Sequence, residues 1–361
     1  MLTTAEQLPI RKNIPLAPLT TIGLGGSAKY FLECKTVEHI CAGLEFGKHE
    51  HLPVQVLGGG SNIIFSDAGF SGVVLKIALK GIHFDDDGEW MIARAAAGEV
   101  WDAFVHACIE KGLGGIECLS GIPGFTGGTP IQNVGAYGQE VKDTIEEVKV
   151  LERATLQEKI LKNAECGFSY RTSRFKFQDL GKFVVTEVSF RLHKNGRPTI
   201  HYPEVKKNVE AAVPLSSLAD GRESLEAVRK VVLSLRKKKS MLVDPNDPNS
   251  KSVGSFFLNP IVERKQYSSL RNLWKKIGDG SEVPVFSFEE KMKISAAWLV
   301  EKAGFAKSYR KVGAGISSNH SLAIINCGGT ANDVLALATE IENRVFEKFG
   351  IRLVREAVVV D

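Results

Sequence analysis

Residues 119–140 read LSGIPGFTGGTPIQNVGAYGQE, six glycines and two prolines in twenty-two positions. Glycine is entropically costly inside a helix or strand and proline lacks the N–H that a ladder needs, so this stretch is irregular backbone. Glycines let main-chain N–H groups approach a large ligand closely. Exposed N–H donors in turns form anion-binding concavities suited to a pyrophosphate. Taken alone, the segment also fits an ordinary surface loop.

Upstream, residues 52–67, LPVQVLGGGSNIIFSD, place Gly58, Gly59, Gly60, Ser61 and Asn62 between two β-branched runs, VQVL and NIIF, that read as strands. A strand, a tight polar glycine turn and another strand wrap consecutive amides around a phosphate without a helix dipole. Two such loops in one chain point to an extended dinucleotide, and the glycines say no more than that. A third cluster, Gly23-Leu24-Gly25-Gly26-Ser27-Ala28, fits the GxGxxA form of the Rossmann fingerprint. That fingerprint needs a strand before it and a helix opening at its end, whereas KYFLE follows here and reads as a strand, so no Rossmann site is expected.

The 361 residues suffice for two or three domains, and 43% hydrophobic with 24% charged residues is ordinary for a globular protein. No apolar run approaches the roughly 18 residues that cross a bilayer, and MLTTAEQLPIRKN lacks the apolar stretch of a leader, so a cytoplasmic protein without membrane insertion is expected. Six scattered cysteines form no CxxC and the eight histidines no HExxH; reduced thiols and no metal are expected. Asp85-Asp86-Asp87-Gly88, between GIHF and EWMIARA, reads as a hairpin turn and not as a calcium loop. The net charge of +4 is modest and the basic residues are not interleaved with aromatics, which argues against nucleic acid. The dense run Arg236-Lys237-Lys238-Lys239 ends an amphipathic helix beginning near Ser224, where cations complement the macrodipole.

Short strands mix with helices in the first third, including a helix over Glu99 to Lys111 that Gly112 stops, so the class is α+β. Strand-like IEEVKVLE and FVVTEVSFRL flank FSYRTSRFKF, and residues 243–251, with DPNDPNS at their centre, read as an interdomain connection. Beyond it, Thr330-x-x-Asp333 is a capping box with Asp in place of Glu, opening a stripe of Val334, Leu337, Ile341, Val345 and Phe349 that runs to Gly350. The final IRLVREAVVVD reads as a buried strand containing Glu356. A buried carboxylate is costly unless paired, so either an arginine such as Arg355 or Arg171 satisfies it or it works in a site.

In order, LTTIGLGG, LGGGSN, GIPGFTGG, PIQNVGAYGQE, YRTSRFKF, VGSFFLNP and the terminal glutamate segment resemble the UDP-N-acetylenolpyruvoylglucosamine reductase family of peptidoglycan synthesis, over nearly the whole chain. The resemblance implies an α+β, two-subdomain FAD-binding fold of the vanillyl-alcohol-oxidase type plus a C-terminal α+β substrate domain. It divides the chain into 1–78, joined by 350–361, then 79–240 and 241–349. It implies non-covalent FAD cradled by Gly58, Gly59, Gly60, Ser61 and Asn62 and by Gly121, Ile122, Pro123, Gly124, Gly127, Gly128, Gln132, Asn133, Gly135 and Ala136. NADPH is the implied electron donor and UDP-N-acetylglucosamine enolpyruvate the implied substrate, with a monomer expected.

The family's catalytic positions fall on Arg171, Ser255 and Glu356. The substrate it implies is an enol ether conjugated to a carboxylate, so hydride addition at C3 moves negative charge onto that carboxylate. An always-cationic arginine and a protonated glutamate are suited to holding this charge. Ser255 is the implied proton donor to C2; without the resemblance, VGSFF would be a turn. Tyr202, in IHYPEV, matches a tyrosine that reaches the nucleotide phosphates, with His201 on the opposite face if the segment is a strand. Asn259 and Lys293 match further substrate contacts.

Three departures stand out. Leu258 occupies a position where many relatives have lysine, the terminal LEPEV pattern is Leu353-Val354-Arg355-Glu356-Ala357, and the SMLVDPNDPNSKSVG connection is long, with Met241 at another lysine position; phosphate contacts then shift toward Lys238, Lys239 or Lys251. Two rival readings are a flavin oxidase of the same fold and a catalytically silent nucleotide-sugar-binding regulator. The YR pair with GSFF argues against the first, and retention of Arg171, Ser255 and Glu356 together argues against the second.

Overall fold

The computed structural model describes residues 9–212 and 218–361. The segment MLTTAEQL, on which part of the leader reading rests, lies outside them. The chain forms two compact units, one running to Ile14 and taking in Ala28–Gly60 and Phe70–Leu242, the other built from Pro15–Ser27, Ser61–Gly69 and Val243–Asp361. Among the described residues no helix is long and apolar enough to cross a membrane.

The strand Ser27–Cys34, which lies in the first unit from Ala28 on, follows the Gly23–Gly26 cluster, as the aromatic pair Tyr30-Phe31 leads one to expect. It pairs in parallel with Phe70–Ile77, which pairs in parallel with Val54–Leu57. Helix Val37–His49, opened by Thr36 accepting from the His39 amide, covers this sheet through Ile40 and Leu44. An antiparallel sheet of five strands follows, in the spatial order Glu158–Lys162, Ile145–Glu152, Phe183–His193, Trp90–Ala96, Ile82–Asp87. The acidic run ends its first hairpin, with Asp87 opposite Trp90. Helix Trp101–Glu110 packs Phe104, Val105 and Cys108 into the core and stops before Gly112, whose φ of +68° suits only glycine cheaply.

The second unit explains why two short N-terminal segments belong with the C-terminal third. Ile22, Leu24 and Ile64 share one core with Phe256, Val334, Leu337 and Ile341. Helix Ala331–Phe349 carries the capping box as read, with Thr330 and Asp333 bonding each other's main-chain amides, and Gly350 closes it in the left-handed conformation. Asp67 adds a second cap, its two carboxylate oxygens accepting from the Ala331 and Asn332 amides at 2.7 and 3.0 Å.

The terminal segment departs from the single buried strand its apolar pattern suggests. Only Val358–Val360 is a strand, paired in parallel with Ile63–Phe65. Upstream, the Leu258 amide donates to Val354 O at 2.9 Å and the Glu356 amide to Phe256 O at 2.8 Å. The chain therefore changes partners at Glu356, and one continuous ladder would not allow that. The IHYPEV segment also differs, because Tyr202 heads the helix Pro203–Ala212 and its carbonyl accepts from the Lys206 amide at 3.0 Å. Proline at the first helical position is the local cause, so the opposite-face relation of His201 and Tyr202 does not hold.

Candidate active site

The two glycine loops of the first unit meet main chain to main chain. A Cβ on Gly59 would lie 2.5 Å from Gly124 Cα and 2.9 Å from its carbonyl carbon. This contact joins GGG to GIPGF, and no side chain fits between them. Added Cβ atoms on Gly58 and Gly128, by contrast, would meet nothing within 4 Å. Open backbone beside a closed seam leaves room for a bulky, anionic ligand to lie against main chain. Lys76 supports the first loop, its ammonium donating to Gly58 O and lying 4.8 Å from the Phe125 ring centroid. Burial pushes its pKa down to about 8.

The second loop is pinned from behind. Asp102 accepts from the Gly121 amide at 2.6 Å and holds Arg229 in a two-pronged pair at 2.6 and 2.8 Å. Arg236, buried and not merely a cation near a helix end, donates to Gly121 O at 3.0 Å and Met241 O at 2.7 Å. Ile122 packs on the unit's core. Gly127 lies against Ala97, where a Cβ would come within 2.5 Å of the alanine methyl. Pro123 and Gln132 lie in the same loop segment, and Ser61 and Asn62, which directly follow Gly60, belong to the second unit.

Asn133 is fully buried at φ +45°, its amide donating to Glu140 at 3.0 Å and to Ser169 O at 2.9 Å. Through it the NVGAY segment, which continues into a short strand at Gly135–Ala136, is tied to the strip that carries Arg171. Arg171 itself has φ +51°, a left-handed value that costs any residue carrying a Cβ. Its guanidinium donates to Gly135 O at 2.5 Å and Asn133 O at 3.5 Å, which fixes the plane of the fork. Nearby in the same unit, Tyr202 meets Tyr137 edge to face at 5.6 Å, and Lys239 lies 5.6 Å from the Tyr137 ring while pairing with Glu204 at 2.5 Å.

In the second unit, Glu356 is held on both sides of its own peptide. Its amide donates to Phe256 O, and its carbonyl accepts from Asn62 Nδ2 at 3.1 Å. Ser255 is the residue before Phe256, so the ladder brings Ser255 and Glu356 to neighbouring positions on paired segments. Glu356 is half-buried, and Arg355 is committed to Glu342 at 2.7 and 2.9 Å, so the pairing of Arg355 with Glu356 weighed from sequence is not what this arginine does. Asn259 accepts from the Ala296 amide at 2.9 Å, and Lys293, on the strand Lys291–Ile294, is paired opposite Ile261. Gly25 and Gly26, the discarded Rossmann match, pack against main chain: Cβ atoms there would sit 2.7 Å from Phe65 Cβ and 2.5 Å from Asp67 O.

Two residues beside these segments carry no sequence signal: Lys76, inside the apolar strand Phe70–Ile77, and His320, 3.4 Å from the Ser255 hydroxyl but 65 residues away in a polar turn. Arg236 stands out in the sequence only as a cation of the helix end, and its burial under Gly121 is what the structure adds.

Comparison with known proteins shows an FAD-binding domain over the part of the chain that holds both glycine loops. Residues 28–155 match the family described as FAD binding domain, and 245–360 match UDP-N-acetylenolpyruvoylglucosamine reductase, C-terminal domain. These matches define an FAD-dependent oxidoreductase on the α+β FAD-binding fold read from the sequence. UDP-N-acetylenolpyruvoylglucosamine reductase of Thermobifida fusca is 41% identical over 359 residues, covering 97% of both chains, and that of Streptomyces coelicolor 42% identical, covering 99% of this chain and 92% of its own. The crystal structure of the Thermus caldophilus reductase aligns with a TM-score of 0.65 at 26% identity, over 98% of this chain and 100% of that one. The chain belongs to the UDP-N-acetylenolpyruvoylglucosamine reductase family.

Proposed function

We propose that this protein reduces the enolpyruvyl group of UDP-N-acetylglucosamine enolpyruvate to the lactyl ether of UDP-N-acetylmuramate, with NADPH as electron donor, in peptidoglycan precursor synthesis. The observation that carries this reading is the antiparallel pairing of the Ser255–Phe257 and Arg355–Ala357 segments, which brings two of the family's catalytic positions, Ser255 and Glu356, onto adjacent backbone. Full-length relatives named for this reaction support it. FAD, held by the Gly58–Gly60 and Gly121–Gly128 loops, supplies the two-electron relay between NADPH and substrate. Neither loop contains histidine or cysteine, and burial pushes the Cys34 and Cys166 thiols up to about 12, which favours a non-covalent flavin.

The residues then divide the remaining work. Arg171, its fork oriented by Gly135 O and Asn133 O, pairs with the substrate carboxylate. As C3 is reduced, negative charge spreads from C2 onto that carboxylate, and Arg171 with a protonated Glu356 holds it. The Ser255 O–H gives its proton to C2, and a neutral hydroxyl suffices because the developing carbanion is strongly basic. Tyr202 donates to the nucleotide phosphates, with Asn259 and Lys293 as further substrate contacts.

Anaerobic mixing tests the reading. NADPH should bleach the yellow protein, and the enolpyruvyl substrate should then recolour it. Ser255→Ala should bleach at the wild-type rate and recolour about 10²–10⁴-fold more slowly. Equal slowing of both halves would leave Ser255 a turn residue.

A further inference from the structure

The Ser255 hydroxyl has a neighbour whose chemistry can be read from its other contacts. Ser255 Oγ and His320 Nε2 are 3.4 Å apart. On the far side of the ring, the Leu322 amide points at Nδ1, also at 3.4 Å. An amide N–H can only donate, so Nδ1 is the acceptor and the neutral ring carries its proton on Nε2. Nε2–H is therefore aimed at the serine oxygen, and this imidazole has no lone pair with which to pull a proton from Ser255.

That is the reverse of a nucleophile-activating pair, in which the histidine accepts the hydroxyl proton. Backbone bonds hold the arrangement in place. The Phe256 amide donates to Leu322 O at 2.8 Å, which locks the turn to the serine strand, and the Ala323 amide donates to His320 O at 3.1 Å. The Ser317 amide closes the turn on Ala323 O at 2.9 Å.

We propose that His320 is a positioning residue for the proton donor Ser255. By occupying one acceptor site on Oγ with a fixed N–H, it turns the hydroxyl proton away from the imidazole and toward the substrate. The Ser255 O–H bond breaks and a C2–H bond forms with the electron pair left at C2 by reduction. The negative charge then left on Oγ is stabilised by the Nε2–H bond, because a hydrogen bond to the charged form favours it, and water returns the proton as product leaves. This inference rests on Ser255 being the donor.

Two measurements test it. In the holoenzyme labelled with ¹⁵N-histidine, His320 should show a protonated Nε2 and an unprotonated Nδ1; a proton on Nδ1 would overturn the proposal. In rapid mixing, His320→Ala should leave bleaching by NADPH unchanged and slow recolouring about 10- to 100-fold. His320→Gln, with an amide donor near the Nε2 position, should recover most of that loss. Added to Ser255→Ala, His320→Ala should cost less than twofold more, because the two act as one unit. A full further loss in that background, or normal recolouring of His320→Ala beside a slow Ser255→Ala, would overturn the role of His320 alone. Normal recolouring of Ser255→Ala would bring down the donor reading with it.

Discussion

Two glycine clusters in this chain look alike as text and do opposite things. In the first unit, LGGGSN leaves Gly58 with nothing within 4 Å of an added Cβ; in the second, GLGGSA places Gly26 so that a Cβ would lie 2.5 Å from both Asp67 O and the Gly69 amide nitrogen. One glycine keeps a surface open, the other lets two main chains touch. Glycine density marks where a side chain is unwelcome. What excludes the side chain, ligand or neighbouring backbone, is decided by segments far away in sequence.

The largest effect that sharpens this contrast belongs to Gly26→Ala. Main-chain atoms cannot swing aside as a side-chain end can, so the 65–69 segment must move, and with it the Asp67 cap on helix Ala331–Phe349. Overpacking of this kind typically costs 1–3 kcal/mol, and loss of the cap adds about 1, so we expect a loss of about 3 kcal/mol. For a unit of this size that lowers the melting temperature by roughly 6–12 °C. A melting temperature within 2 °C of wild type would mean that the close approach is not needed, and the contrast would fail on this side.

Gly58→Ala tests the other side. With open space around it and no positive φ, the substitution should change apoprotein stability by less than about 0.5 kcal/mol. The new methyl group does stand in the cradle, so FAD affinity, measured by flavin fluorescence on titrating apoprotein, should fall about tenfold, or 1.4 kcal/mol. Unchanged affinity would show that the open face of Gly58 is solvent and not cofactor.

Features bounded by a few residues were legible in the sequence. The Thr330–Asp333 box, the Gly350 stop, the Asp85–Gly88 hairpin and the strands at Val54–Leu57 and Ile63–Phe65 rest on local rules of capping and alternation. The terminal segment was not legible in the same way, because its apolar pattern suits any strand. Only the pairing partners, Phe256 on one side and Asn62 on the other, reveal that the chain switches neighbours at Glu356. Tyr202 shows a missed local signal, since Pro203 favours a helix start over a strand. His320 offered no such signal, as sequence distance says nothing about which turn meets Ser255.

The remaining prediction concerns what holds the open loop in place. Lys76 donates to Gly58 O from a half-buried position, and desolvation lowers its pKa from 10.5 to about 8. Between those two values the unfolded chain keeps a proton that the folded protein has released, so folding stability gains as pH rises through the window. The gain is fully present above about 10.5 and is lost as pH falls toward about 8. Because other lysines titrate in the same range, the useful quantity is wild-type stability minus that of Lys76→Met, followed by thermal unfolding of the apoprotein. This difference should be flat below pH 7.5 and move in favour of wild type from pH 8 to pH 10. A difference that stays flat across that range would mean the ammonium is solvated, and that the seam between Gly59 and Gly124 holds the loop without it.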